Sequence, residues 1–458
     1  MVEHPLVSKI SITGLFGHLD HDIEFRSSDP TILTGLNGAG KTHVLHILRA
    51  LTVCDALSLG ALPFHVATLT YSTGDQVAAE RLVNDDGTSV QLRHKNPRGV
   101  EGKPLTVQMP SDDDIRASLP PWIHRVGDRY RDERNGDYLT LAAVRAYAPS
   151  RNVLSPEVQW GLEQLRHEVP NMPSFIIDTR RLDVSPPEDD PAWRNGRSAS
   201  GRNATSRIEH YLERVTAQMD RARRNAIRSS QQADISFAER ALASARKTVN
   251  EPALRERYNQ VVAQYNDLGR NGLTVGDAPI PFPEKTNPTV RRILDPFVED
   301  WEKRLAPLVP LNEKIKLFRA LLDDKLESSF KRTSAHAQGI HITDIHGRRL
   351  NVNRLSSGEQ HLLALYTRLL FDTRRGTLVL IDEPEISLHP AWQHAFVRDI
   401  DRVAELVPMQ VVIATHSPSI VNERWDLEEP LSISAPPDPG RDEDQSEAFL
   451  GVDDDADE

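Results

Sequence analysis

Eight consecutive residues, Gly35-Leu36-Asn37-Gly38-Ala39-Gly40-Lys41-Thr42, carry the spacing G-x-x-x-x-G-K-T. Glycine lets a chain curl until successive backbone N–H groups face one centre, and such a nest binds phosphate oxygens. The N–H groups of Asn37, Gly38, Ala39, Gly40 and Lys41 are the candidate cradle, with Gly35 at its entry. Lys41 would set a point charge on the β- and γ-phosphates, and the Thr42 hydroxyl would be a magnesium ligand. The bland alternative is a glycine turn with an incidental lysine. The flanks favour phosphate: a β-branched run over 30–34 comes before, and Val44, Leu45, Ile47, Leu48 and Leu51 follow at helical spacing. A helix starting there adds positive potential at its N-terminus.

Three further groups point the same way. Leu378-Val379-Leu380-Ile381-Asp382-Glu383 has the composition of a buried strand ending in two carboxylates. Asp382 would hold magnesium through water, and Glu383 would orient or deprotonate an attacking water. Leu355-Ser356-Ser357-Gly358-Glu359-Gln360 starts 27 residues before Asp382. Ser356, Ser357 and Gly358 could present hydroxyl and N–H donors to an anion at a helix start; an ordinary helix cap is the alternative. His416 lies 34 residues after Asp382, at the end of the apolar run 410–414. A neutral imidazole there could reach a γ-phosphate, and a satisfied structural histidine is the alternative.

The elements that must hold these groups are legible in outline. Strand character marks 7–16, 22–34, 174–178, 340–353, 377–381 and 410–414, and 64–95 reads as antiparallel strands with a turn at Asp86-Gly87. Segments 207–271 and 287–333 read as helices, with stripes Ile208, Leu212, Val215, Met219 and Leu317, Leu321, Leu322, Leu326. A Pro-rich stretch over 278–288 breaks them. Helices are also expected over 361–371 and around 391–406. The fold class is therefore α/β: a 1–180 lobe with the phosphate loop and an antiparallel β-subdomain, a mainly helical insertion over 181–338, and a 339–435 lobe with the remaining motifs. Residues 436–458 read as a disordered acidic tail.

Composition limits the alternatives. No run of 18 apolar residues occurs, and the N-terminus lacks the pattern of a signal peptide. Cys54 is the single cysteine, which excludes an intrachain disulfide framework and an all-cysteine zinc site. The chain reads as cytoplasmic, with no membrane partner. The net charge of −12 is mostly local: residues 441–458 hold nine acids and one arginine.

Together the four motifs resemble the nucleotide-binding domains of the ABC ATPase superfamily: phosphate loop, signature, Asp-Glu strand and switch histidine, in that order. The SSGEQ signature and the block Ile381-Asp382-Glu383-Pro384-Glu385-Ile386-Ser387-Leu388-His389-Pro390 resemble the non-transporter branch, the SMC-like and OLD-like ATPases of AAA_15/AAA_21 type. The stretches GEQHLLALYTRLLF and ATHSPSIVNERWDL look like the stand-alone ATPases of bacterial anti-phage systems such as PARIS and, less closely, Septu. The resemblance covers roughly 1–60 and 340–428 and leaves the insertion almost untouched.

That resemblance implies a P-loop ABC-ATPase head with a mixed sheet flanked by helices. Its ligands would be ATP and Mg2+, and hydrolysis would be slow because Arg180 stands where relatives carry a magnesium-sensing glutamine. Gln159 is an alternative glutamine. Two heads would dimerise head-to-tail, each ATP lying between Lys41 and Thr42 of one chain and Ser356 to Gly358 of the other, with Leu388 and His389 across the interface. Glu383 with His416 would time opening, with Lys41 assisting catalysis.

Spacing narrows the reading. Lys41 and Ser356 are 315 residues apart, too far for a transporter head, and only 42 residues follow His416, too few for a nuclease domain. The expected partner is a separately encoded effector, gated in anti-phage defence. The alternative is a DNA-binding clamp of repair or chromosome maintenance, because residues 191–230 hold nine Arg and three acids. The same stretch could instead dock an acidic protein surface or simply be solvated.

Overall fold

The computed structural model describes residues 4–84, 87–111, 154–178, 207–244 and 248–432, with short segments between 114 and 139. Asp86, Arg180, residues 191–206 and the acidic tail lie outside the described residues.

The chain opens with β1 (Val7–Leu15), β2 (Leu19–Glu24), β3 (Thr31–Thr34), α1 (Lys41–Thr52) and the short α2 (Ala56–Gly60). Then come β4 (Val66–Tyr71), β5 (Gln76–Asn84), β6 (Gly87–Lys95) and β7 (Leu105–Gln108), and the small strands β8 (Ile123–Val126), β9 (Arg129–Asp132) and β10 (Tyr138–Leu139). Helix α3 (Pro156–Glu168) precedes β11 (Ser174–Asp178). Four helices follow: α4 (Arg207–Ala243), α5 (Glu251–Arg270), α6 (Pro288–Leu305) and α7 (Val309–Leu326). The last part holds β12 (Lys331–His336), β13 (Gly339–Asp344), β14 (Arg349–Leu350), α8 (Ser357–Thr367), β15 (Thr377–Asp382), α9 (Pro390–Gln393), α10 (Phe396–Leu406), β16 (Met409–Ala414), α11 (Pro418–Val421) and β17 (Glu428–Pro430).

Strands from both ends of the sequence build one parallel sheet, in the order β11-β15-β16-β3-β17. Parallel strands are covered on both faces and need continuous apolar runs, which β15 and β16 supply: every residue of each is buried. Side chains alternate between faces. Ile32, Val379, Ile381, Val411 and Ile413 join the core beneath the helices. Leu33, Leu378, Leu380, Val412 and Ala414 join the core shared with α1 and the antiparallel sheet β2-β1-β4-β5-β6-β7. Each such Val, Leu or Ile side chain contributes about 1.5–3 kcal/mol on burial.

Register is what creates a site. Asp178 pairs with Asp382, Asp382 with Ala414, and Ala414 with Leu33. The carboxyl ends of four strands therefore share one rim, where ligands of open parallel sheets bind.

The insertion is not separate from the head. Ile208, Leu212, Val215 and Met219 of α4 are buried in the same core as Ile381 and Leu363. Gln218 donates to the Phe371 carbonyl at 2.9 Å, and Arg214 pairs with Asp372 at 2.9 Å. Farther out, Arg257 of α5 binds Glu302 and Asp295 of α6 at 2.8 and 2.9 Å. No described helix is long and apolar enough to cross a membrane.

Three expectations change. The strand expected over 22–34 is two strands in different sheets, because Ser27-Ser28-Asp29-Pro30 turns the chain and Pro30 has no N–H for a ladder. Residues 331–333 are not helical; they start β12, which pairs with β13 across the two-residue turn Ala337-Gln338. The helix around 391–406 is split into α9 and α10.

Candidate nucleotide-binding site

β3 delivers the chain to Gly35, and three glycines shape the loop: Gly35, Gly38 and Gly40 have φ of 141°, 90° and 86°. A β-carbon at Gly35 would lie 2.7 Å from the Leu431 carbonyl oxygen, and one at Gly40 would strike the Leu15 side chain. The curl is thus enforced by close packing as well as by φ. His21 of β2 holds the loop from below, its Nε2 bonded to the Ala39 carbonyl at 2.9 Å. Helix α1 starts at Lys41 with no side-chain cap on its first turn. Its leading N–H groups and positive end face the loop, the arrangement that receives an anion.

Lys41 is 5% exposed. Its ammonium donates to the carbonyls of Gly35 (2.8 Å) and Leu36 (3.2 Å) and to His416 Nδ1 at 3.1 Å. An ammonium only donates, so Nδ1 accepts and the imidazole proton sits on Nε2. That nitrogen is 3.5 Å from Glu383 Oε1. Burial lowers the Lys41 pKa, while the carboxylates of Glu383, Glu385 and Asp382 oppose the shift.

Thr42 Oγ1 donates to Asp382 Oδ1 at 3.1 Å. Hydroxyl and carboxylate are therefore adjacent, as magnesium would need. Magnesium usually takes one or two protein oxygens and completes its shell with phosphates and water. The Thr42 hydroxyl and the Asp382 carboxylate are two such protein oxygens.

Glu383 follows the end of β15 in the left-handed region, φ 47° and ψ 57°, and its N–H donates to the Ala414 carbonyl at 2.8 Å. A non-glycine residue held there costs about 1–3 kcal/mol and marks a constrained position. The turn ends the strand's alternation beside His416.

No sequence pattern assigns Glu385 a role, although it lies within the segment Ile381 to Pro390. Its Oε1 accepts the His416 backbone N–H at 2.7 Å, while Oε2 is buried without a hydrogen bond among the described residues. The spacing Asp382-Glu383-Pro384-Glu385 was the available signal: a proline turn returns the second glutamate toward the strand ends.

The signature motif caps α8. Ser356 Oγ accepts the Glu359 N–H at 3.4 Å, and Glu359 Oε2 accepts the Ser356 N–H at 2.8 Å, a reciprocal capping box. Glu359 is 3% exposed. It also accepts from Ser329 Oγ at 2.7 Å and from Lys331 Nζ at 2.8 Å. Burial works against its ionisation, yet these donors hold its pKa below the usual value. Ser356 and Ser357 are exposed, and among the described residues no hydrogen bond joins Ser356, Ser357 or Gly358 to the Gly35–Thr42 loop. Sequence reasoning missed Ser329 and Lys331, which lie about 30 residues upstream of their partner and have no motif of their own.

Leu388 departs from expectation: it is 5% exposed and part of the core, so of the pair only His389 stands at the surface. Gln159 lies in the first turn of α3, where its amide donates to the Leu154 carbonyl.

Residues 31–422 match the AAA_21 family, described as "AAA domain, putative AbiEii toxin, Type IV TA system", and the chain belongs to this family. A 70-residue stretch is 40% identical to protein ea59 of Escherichia phage lambda, covering 15% of this chain and 13% of that protein. Among solved structures, the chain is similar to the Smc head domain of Pyrococcus furiosus, solved with an extended coiled coil and bound to the C-terminal domain of ScpA (16% identity, 91% of each chain covered, TM-score 0.33). It is also similar to the SMC head domain from Thermotoga maritima (11% identity, 93% and 94% covered, TM-score 0.33). These structural likenesses are too distant to speak of function.

Proposed function

We propose that this AAA_21 member is an ABC-type ATPase that binds ATP with Mg2+ at the start of α1. The carrying observation is the line Lys41–His416–Glu383, which joins the phosphate loop, β16 and β15 at one sheet rim. The curled loop and uncapped first turn of α1 would cradle the phosphates. Lys41, now bonded to two carbonyls and an imidazole, would exchange those partners for phosphate oxygens. Thr42 and Asp382 would hold the metal, which supplies charge neutralisation at the phosphates. Glu383 would accept the proton of the attacking water, and His416, released from Lys41, would face the γ-phosphate side.

The exposed Ser356 and Ser357 at the start of α8 support a head-to-tail dimer, in which they complete the partner's site. The γ-phosphate would then bias a two-state interface. In the cell, we infer, this cycle gates a separately encoded effector in anti-phage defence. A DNA-binding clamp is the second reading, favoured by exposed Arg221, Arg224 and Arg228 on α4. The deciding experiment is a pull-down of tagged Glu383→Gln with ATP from cells carrying its native flanking genes. A stoichiometric neighbour-encoded protein without DNA supports the gated effector; DNA without such a protein overturns it in favour of the clamp.

A further inference from the structure

The outer half of α4 carries a face that nothing in the described chain covers. Arg221, Arg224 and Arg228 are exposed, at i, i+3 and i+7, so they line one side of the helix. None of the three is in an ion pair or side-chain hydrogen bond among the described residues. The same side continues into Ile235, 87% exposed, and Leu242, 77% exposed. The opposite side of this half is used: Ala226 and Ala233 are buried, Arg240 pairs with Asp300, and Ser230 accepts from Arg304. The result is a basic patch followed by Ile235 and Leu242, with the exposed Glu239 between them, on a single solvent face.

We propose that residues 441–458 of this chain dock on that face. The segment has the complementary order of chemistry. Asp442-Glu443-Asp444 and Glu447 come first, Ala448-Phe449-Leu450 next, and Asp453-Asp454-Asp455 after them. Dimensions agree. Arg228 to Leu242 spans about 21 Å at the helical rise, and Asp444 to Leu450 spans about 20 Å when extended. Nucleic-acid phosphates would satisfy the arginines but leave Ile235 and Leu242 in water, so the acidic–apolar segment is the better occupant. Docked, it would shield the basic face from other polyanions. The inference stands independently of the ATPase reading.

The test uses full-length protein in which the nine tail acids are replaced by amides, and a fluorescent synthetic peptide of residues 441–458 followed by anisotropy. The expected result is saturable binding at about 50 mM salt that weakens roughly 10-fold by about 300 mM. Wild-type protein, with its own acidic segment competing, binds the peptide several-fold more weakly. R221E/R224E/R228E removes binding, and I235S/L242S weakens it with the charges intact. Equal binding by wild-type and tail-neutral protein overturns the proposal, as does binding that survives the triple substitution. A short duplex DNA that binds the tail-neutral protein and is not displaced by the peptide also overturns it, and assigns the face to nucleic acid.

Discussion

His416 Nδ1 lies 3.1 Å from Lys41 Nζ, although 375 residues separate them, and the opposite ring nitrogen is 3.5 Å from Glu383 Oε1. One imidazole thus bridges the cation of the phosphate loop and the candidate base. It can do so because β16 lies between β3 and β15 in the sheet. The bridge predicts that the three residues act as a unit and that their losses are not additive.

Glu383→Gln keeps the size and removes the base. Hydrolysis is expected to fall about 10²–10⁴-fold, the usual worth of a general base, while ATP affinity is kept. Single-turnover hydrolysis and gel filtration with ATP measure both. Hydrolysis at the wild-type rate would remove Glu383 from the role.

Lys41→Ala deletes the buried ammonium. Losing charge-assisted bonds of about 1.5–3 kcal/mol weakens ATP binding at least about 10-fold. Titration with a fluorescent ATP analogue reads this directly. Retained affinity would sink the phosphate-loop assignment.

Lys331→Met leaves the buried Glu359 carboxylate without its cation. Partial exposure of Lys331 moderates the cost, so a stability loss of about 1–3 kcal/mol is expected in urea unfolding. The capping box also loses its brace, so kcat should fall with little change in the KM for ATP. Lys331→Arg should restore both; failure of that rescue would mean the pair does not position the signature turn.

Glu385→Ala frees the His416 backbone N–H that it now anchors at 2.7 Å. A roughly 10-fold drop in kcat with unchanged ATP affinity is expected if the anchor positions the imidazole. An unchanged rate at every pH would show that the anchor is dispensable.

Burial lowers the His21 pKa below its ordinary 6.5, despite the bond to the Ala39 carbonyl. Below that value the unfolded chain takes up protons that the folded chain resists. His21 therefore contributes stability above the unfolded pKa that is lost as pH falls. Thermal melts from about pH 7.5 to 5.5 should show a steeper decline for wild type than for His21→Asn. Parallel curves would contradict this.

The sequence by itself determined the local chemistry. A glycine loop between strand and helix, an apolar strand ending in Asp382-Glu383, and a serine-rich helix start are set by neighbours within about ten residues, where propensity and periodicity act. The helical stripes of α4 and α7 were legible for the same reason. Other features were decided by contacts distant in sequence. Strand order puts His416 between Lys41 and Glu383, and which sheet each part of residues 22–34 joins, once the turn at 27–30 has separated them, follows from which partners are free to pair. Glu385 and Lys331 gained roles, and Leu388 lost one, through burial and hydrogen bonds that no local pattern encodes. Register in a parallel sheet is fixed by the cores on both of its faces, so only the folded chain aligns Asp382, Ala414 and Leu33 and brings the candidate site together.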